Sequence, residues 1–230
     1  QSTVYEALFA MITAENIPRT EREEVHQWMA DPKHMLDFAF TPQRNTVWLR
    51  KVLTCGKPIT PVFLEFSDVV TAILPELAPC VGFDHCSIYH KHNVYEHCLT
   101  VTDGCHTDDF CVKLAALLHD IGKPHVYTTD KAGHRHFHGH AESSVAHARQ
   151  QLQHLELSEA EIALILELIA HHDMQLASSE KALRRAILQH GDWSFARGVD
   201  FIRKWAILRQ SDRDDHNYPT GTATRFYTDI

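Results

Sequence analysis

Leu117-Leu118-His119-Asp120-Ile121-Gly122-Lys123-Pro124 closes an otherwise apolar helix with an imidazole and a carboxylate side by side. Burying both behind Val112, Leu114, Ala115, Ala116, Leu117 and Leu118 demands compensation, and a divalent cation that takes them as ligands supplies it. The plainer alternative is a capped helix end, with Gly122 and Pro124 as ordinary stop signals.

The surrounding residues decide between the two. Upstream, Val94, Cys98 and Val101 lie at helical spacing around Tyr95-Glu96-His97 and turn His97 inward. Downstream come His138-Gly139-His140-Ala141-Glu142, then His171-His172-Asp173 at the end of a strongly apolar helix, and finally Ser211-Asp212-Arg213. The order is His, His-Asp, His, His-His, Asp.

These residues resemble the HD-domain superfamily of metal-dependent phosphohydrolases, which takes its name from the adjacent His-Asp pair. The resemblance narrows to the neck-plus-HD region of bacterial tRNA nucleotidyltransferases (CCA-adding enzymes) and related poly(A) polymerases. It rests on Leu74-Pro75-Glu76-Leu77-Ala78-Pro79, Val81-Gly82-Phe83-Asp84, Tyr95-Glu96-His97, the 117–124 stretch and His136-Phe137-His138-Gly139-His140-Ala141-Glu142. Thr41-Pro42-Gln43-Arg44 and Leu49-Arg50-Lys51-Val52-Leu53 are more loosely similar to the neck. The likeness implies an all-α fold, a helical HD-domain bundle with an N-terminal neck-like annex. The expected division is a neck-like region over 1–73, an HD domain over 74–216 and a tail over 217–230.

One departure bears on activity. The transferases carry a catalytic head before the neck, with a Gly turn and an Asp-x-Asp pair on a strand. Here Asp108-Asp109 lies between segments and Asp212-Arg213-Asp214-Asp215 ends a helix, so neither suits two-metal nucleotidyl transfer. Nucleotide addition by this chain alone is not expected. Gln1 in place of a start methionine points to truncation or processing.

With 230 residues and 44% hydrophobic content the chain can bury one substantial core, with or without a small helical annex. No apolar run approaches the ~20 residues of a membrane span and no signal-peptide pattern opens the chain, so a cytoplasmic protein without membrane contact is expected. Cys55, Cys80, Cys86, Cys98, Cys105 and Cys111 include no CxxC pair and read as reduced thiols. A net charge of −8 disfavours broad electrostatic binding of nucleic acid, and only weak, salt-sensitive binding of tRNA or an RNA 3′ end is expected. The last third is nonetheless basic. Arg184, Arg209 and Arg213 are the candidates there for phosphate contact, the other arginines reading as solvated helix faces.

The periodicity predicts helices over 4–12, 21–29, 47–53, 62–74, 93–103, 109–120, 142–155, 159–174, 181–189 and 195–212, with a turn-rich excursion over 128–140. Ser158 and Glu161 form a capping box for the 159–174 helix.

His97, His119, Asp120 and Asp212 form the expected ligand set, two nitrogens and two carboxylates around a cation that activates water. The resemblance implies that in binuclear members Asp120 bridges two ions, with His140 and His171 as the favoured additional ligands. His172 reads equally as a supporting or core histidine, since adjacent helical residues point about 100° apart. Asp120 and Lys123 are the candidate catalytic residues, Lys123 as a cation offsetting transition-state charge. His90, His136 and His138 are candidate substrate contacts at the pocket and its rim. Histidine ligands favour one or two ions of manganese, iron, nickel, cobalt or zinc over magnesium.

The function expected is a phosphodiesterase or phosphatase acting on a nucleotide, a 2′,3′-cyclic phosphate or an RNA-end phosphate, a substrate class implied by the resemblance. Two alternatives stand beside it: a neck-and-body portion that binds or positions tRNA for a separate head, and a fold that keeps its metal as a structural element only.

Overall fold

Polar caps followed by apolar residues at helical spacing recur along this chain, and helices form where they do. The computed structural model describes residues 3–14 and 16–216. Helix α1 (Val4–Thr13) opens on a reciprocal cap between Thr3 and Glu6, and α2 (Arg19–Met29), α3 (Pro32–Asp37) and α4 (Pro42–Thr54) follow. The stretch expected as one helix over 62–74 is two, α5 (Thr60–Glu65) and α6 (Ser67–Ile73), broken at Phe66 (φ −109°, ψ 38°). Ser67 and Asp68 suit a first helical turn, where a carboxylate meets the positive end of the helix dipole.

The elements that carry the site come next: α7 (Val94–Gly104), α8 (Phe110–Leu118), α9 (Lys123–Val126), strands β1 (Thr128–Thr129) and β2 (Arg135–His136), α10 (His140–Gln153), α11 (Glu159–Ala170), α12 (Glu180–Ile187) and α13 (Phe195–Asp215). Asn93 caps α7 and Asp109 caps α8, each accepting from the amide three residues on. The capping box of Ser158 and Glu161 starts α11 as expected.

Two departures from the sequence-based expectation matter. The 128–140 excursion contains an antiparallel hairpin pairing Thr128 with His136 and Thr129 with Arg135, its turn held by Asp130, whose carboxylate accepts from the amides of Ala132 and His134. Helix α11 ends at Ala170, not Met174, because His171 leaves helical geometry (φ −112°, ψ 9°).

Helix α8 lies at the centre, packed against α4, α7, α11 and α13. Val112, Leu114, Ala115, Ala116, Leu117 and Leu118 are all fully buried, which explains why Lys113 is the one charged residue in α8. The same core takes in Leu8 of α1, Trp48 and Leu49 of α4 and Phe63 of α5, and the Tyr95 hydroxyl of α7 donates to the Phe63 carbonyl at 2.6 Å. The expected tail over 217–230 lies outside the described residues.

Candidate metal centre

The C-terminus of α8 delivers His119 and Asp120 to a point where four other elements meet. Helix α7 brings His97, α13 brings Asp212, the first residue of α10 is His140, and the end of α11 brings His172. Five of the six are buried, and His140 is partly exposed.

Asp120 divides the cluster in two. Its Oδ2 lies 3.3 Å from His97 Nε2 and 3.4 Å from His119 Nε2, and Asp212 Oδ1 completes this half at 3.1 Å and 3.6 Å from the same nitrogens. Its Oδ1 lies 3.6 Å from His140 Nε2 and 3.5 Å from His172 Nε2. Within each half the imidazoles face one another, with Nε2 to Nε2 distances of 3.2 Å (His97 to His119) and 3.1 Å (His140 to His172).

The hydrogen bonds on the far side of each ring identify the charge this cluster needs. Nδ1 of His119, His140 and His172 lies against the carbonyls of Ala116, Phe137 and Ile169 at 2.6, 2.9 and 2.7 Å, and His97 Nδ1 lies 2.7 Å from Asp215 Oδ2. Those oxygens only accept, so every Nδ1 carries its proton and every Nε2 points inward, where its lone pair takes a proton or a metal cation. Two pairs of facing lone pairs repel unless a proton or a metal cation sits among them. Among the described residues, Asp120 Oδ1 is moreover buried without a hydrogen-bond partner, an arrangement costly for a carboxylate oxygen unless a cation satisfies it. The donor set, four imidazole nitrogens and two carboxylates, therefore fits a divalent transition ion.

Titration follows the same logic. Burial alone would push His97 and His119 down, but Asp120, Asp212 and, for His97, Asp215 outweigh it and raise them to about 10 and about 9. Burial would raise Asp120, yet Lys123, His119 and His172 hold it well below the usual carboxylate range; His119 and His97 do the same for Asp212. His140 is lowered, chiefly by burial, with His172 and Lys123 adding to it.

Lys123, one turn beyond Asp120, is buried with Nζ 2.7 Å from Asp120 Oδ2 and 3.3 Å from His85 Nε2. His85 Nδ1 donates to the His92 carbonyl at 2.9 Å, leaving Nε2 to accept from the ammonium. Burial and Lys123 push His85 down to about 3, which keeps it a neutral acceptor. The cluster opens on a cavity of about 440 Å³ whose wall includes His90, Lys123, Phe137, His138, Arg209 and His216.

Of the residues singled out from sequence, His97, His119, Asp120, Asp212, His140 and His172 converge, and Lys123, His90, His138 and Arg209 line the cavity. Arg209 Nη1 sits 3.1 Å from Asp212 Oδ2. The geometry brings His172, and not the favoured His171, beside Asp120 and His140. The early end of α11 sends His172 into the cluster and turns His171 to a different one, with Glu167 and His190. His136 is exposed on the hairpin, its Nε2 3.1 Å from Asp130 Oδ2, and is not part of the cavity wall. Arg184 is exposed on α12, and Arg213, partly buried on α13, also lies off that wall. Sequence reasoning missed Asp215, although its i+3 spacing from Asp212 puts both on one helix face. It also gave no role to His85 or to His216, whose ring lies 4.3 Å from that of His90.

Comparison with known proteins agrees with this geometry. The chain is 30% identical over 129 residues to the A-adding tRNA nucleotidyltransferase of Deinococcus radiodurans, covering 54% of this chain and 30% of that relative. It is 32% identical over 134 residues to the CC-adding tRNA nucleotidyltransferase of Thermus thermophilus, covering 56% of this chain and 31% of the relative. The chain thus spans about a third of the length of the curated relatives it matches. The sequence profile of the HD domain matches residues 88–195, a stretch that holds His97, His119, Asp120, His140 and His172 and stops short of Asp212. By sequence, residues 88–195, just under half of this chain, are similar to the HD domain.

Proposed function

We infer that this chain is a metal-dependent phosphoester hydrolase, acting on a nucleotide, a 2′,3′-cyclic phosphate or an RNA-end phosphate. The observation that carries the reading is Asp120, which directs one carboxylate oxygen to each of two histidine pairs at the floor of an open cavity. His97, His119, Asp120 and Asp212 would hold one ion, and Asp120 with His140 and His172 a second. Bound there, such an ion lowers the pKa of a water and polarises a phosphoryl oxygen.

The chain's own groups supply the rest. Asp215 holds the His97 ring in the tautomer that presents Nε2, as three backbone carbonyls do for the other histidines. Lys123 and Arg209 are cations on the cavity wall, each anchored by a carboxylate of the site, and so are positioned before substrate arrives to offset negative charge on a phosphoryl group. His90 and His138 line the same wall and would contact the substrate.

The test is a panel of nucleoside phosphates, 2′,3′-cyclic phosphates and RNA-end phosphates assayed with manganese, nickel and magnesium, with Asp120→Ala as the control. Hydrolysis supported by manganese or nickel and lost in Asp120→Ala is expected. A metal-loaded protein that cleaves none of them would overturn the reading. A second reading, in which this body positions tRNA for nucleotide addition, is favoured by the names of the two relatives; salt-sensitive tRNA binding without hydrolysis would support it.

A further inference from the structure

We propose that Glu167, His171 and His190 form a second, separate metal site that takes a zinc-class divalent ion. Glu167 lies on α11, His171 follows that helix directly, and His190 lies between α12 and α13, so an ion here would tie three parts of the chain together.

The distances suit a tetrahedral ion. His190 Nε2 lies 3.3 Å and His171 Nδ1 3.5 Å from Glu167 Oε2, and one donor atom from each residue falls within 4.8 Å of the others. Donors bound at about 2.0–2.1 Å in a tetrahedron sit about 3.3 Å apart. Two imidazoles and one carboxylate, with a position left for water, is a ligand set zinc accepts.

The ordinary alternative is an ion pair between Glu167 and charged histidines. Charge-assisted hydrogen bonds draw their partners in, as His147 with Glu76 and His97 with Asp215 show at 2.7 Å each. Here the contacts stay longer, and Glu167 Oε2 and His190 Nε2 are both buried atoms without a hydrogen-bond partner among the described residues. A cation between them satisfies both at once.

Neighbouring groups already orient the donors. The His190 ring stacks on Trp193 at 3.9 Å, and the indole of Trp205 donates to the His171 carbonyl at 2.8 Å. His171 Nδ1 lies 3.0 Å from the Glu167 carbonyl and donates to it without an ion; ligation through Nδ1 requires the tautomer that carries the proton on Nε2 instead, so the ring stays neutral. The carbonyl keeps a donor when this happens, because the His171 backbone amide also reaches it at 3.2 Å.

The test is zinc content after equilibrium dialysis of the full chain, compared among wild type, Glu167→Gln, His190→Gln, Asp120→Ala and the double variant Asp120→Ala/Glu167→Gln. Glu167→Gln keeps the side-chain volume, and a thermal melt checks that each variant folds. Glu167→Gln and His190→Gln should each bind one equivalent less than wild type, and the double variant one less than Asp120→Ala. Equal zinc in Asp120→Ala and the double variant would overturn this site while leaving the Asp120 centre untouched. A loss confined to Asp120→Ala would do the same.

Discussion

Replacing Gly122 with alanine should disturb the proposed metal centre without replacing any of its proposed ligands. An added Cβ would stand 2.3 Å from the Ser144 amide nitrogen, 2.7 Å from the His140 carbonyl oxygen and 2.7 Å from the Ser143 carbonyl carbon. Non-bonded heavy atoms need about 3.5 Å, so the first turn of α10 must retreat by roughly 1 Å. These are backbone atoms, and no rotamer change relieves the contact. The Gly122 amide also donates to Ser144 Oγ at 2.9 Å, a bond that the retreat would stretch. Overpacking of this kind costs about 1–3 kcal/mol, which in a chain of this size lowers Tm by roughly 2–12 °C. His140 is the first residue of the displaced turn, while metal donors tolerate only about 0.2 Å, so the half of the centre built from His140 and His172 should weaken most. Differential scanning calorimetry and metal analysis read the two effects, with Gly191→Ala as the control because a Cβ there meets nothing within 4 Å among the described residues. A Gly122→Ala protein with the melting temperature and metal content of wild type would refute the reasoning.

Other expectations follow from the same contacts. His97 and His119, raised to about 10 and about 9, are protonated at neutral pH when no ion is bound. Their stabilisation of the ion-free fold is therefore fully present below the ordinary imidazole pKa of ~6.5 and is lost as pH rises through 9 to 10. The depressed carboxylates Asp120 and Asp212 act oppositely, their contribution being present above ~4 and lost as pH falls through their folded values. An ion must displace the imidazole protons, so apparent affinity should climb up to about pH 9, and chelator-competition titrations that level off near pH 7 would contradict this. Asp215→Asn should weaken metal binding by about 10–100-fold through the His97 ring, while an unchanged affinity would remove Asp215 from the site. Lys123→Ala should keep the metal and lower turnover by about ten- to a thousandfold; full activity would end the catalytic role of Lys123.

What the sequence disclosed, it disclosed through local chemistry. Asn93, Asp109 and Ser158 stand at the starts of α7, α8 and α11, and the apolar run of α8 marks its end as buried. The sequence pattern points to the 159–174 helix as the central one, whereas α8 takes that place, packed against α4, α7, α11 and α13. His119 next to Asp120 was legible because an imidazole and a carboxylate at the end of such a helix need a reason to be there. The choice between His171 and His172 was not, because it turns on where α11 ends, and no glycine or proline marks that end. The two-residue strands are too short to show alternation, so the hairpin reads as turns. Asp215 and His85 escaped notice because their roles come from partners far along the chain: His97 is 118 residues from Asp215, and His85 is 38 from Lys123.

The most direct measurement is the metal content of wild type and Asp120→Ala, each saturated with manganese or zinc, freed of excess ion and shown to be folded. Both halves of the centre use Asp120, one through each carboxylate oxygen. Asp120→Ala should therefore bind one or two equivalents fewer than wild type, with hydrolysis lost, and chelation should lower the wild-type melting temperature by linkage. Equal metal content in the two folded proteins would contradict a metal centre at His97, His119, Asp120 and Asp212.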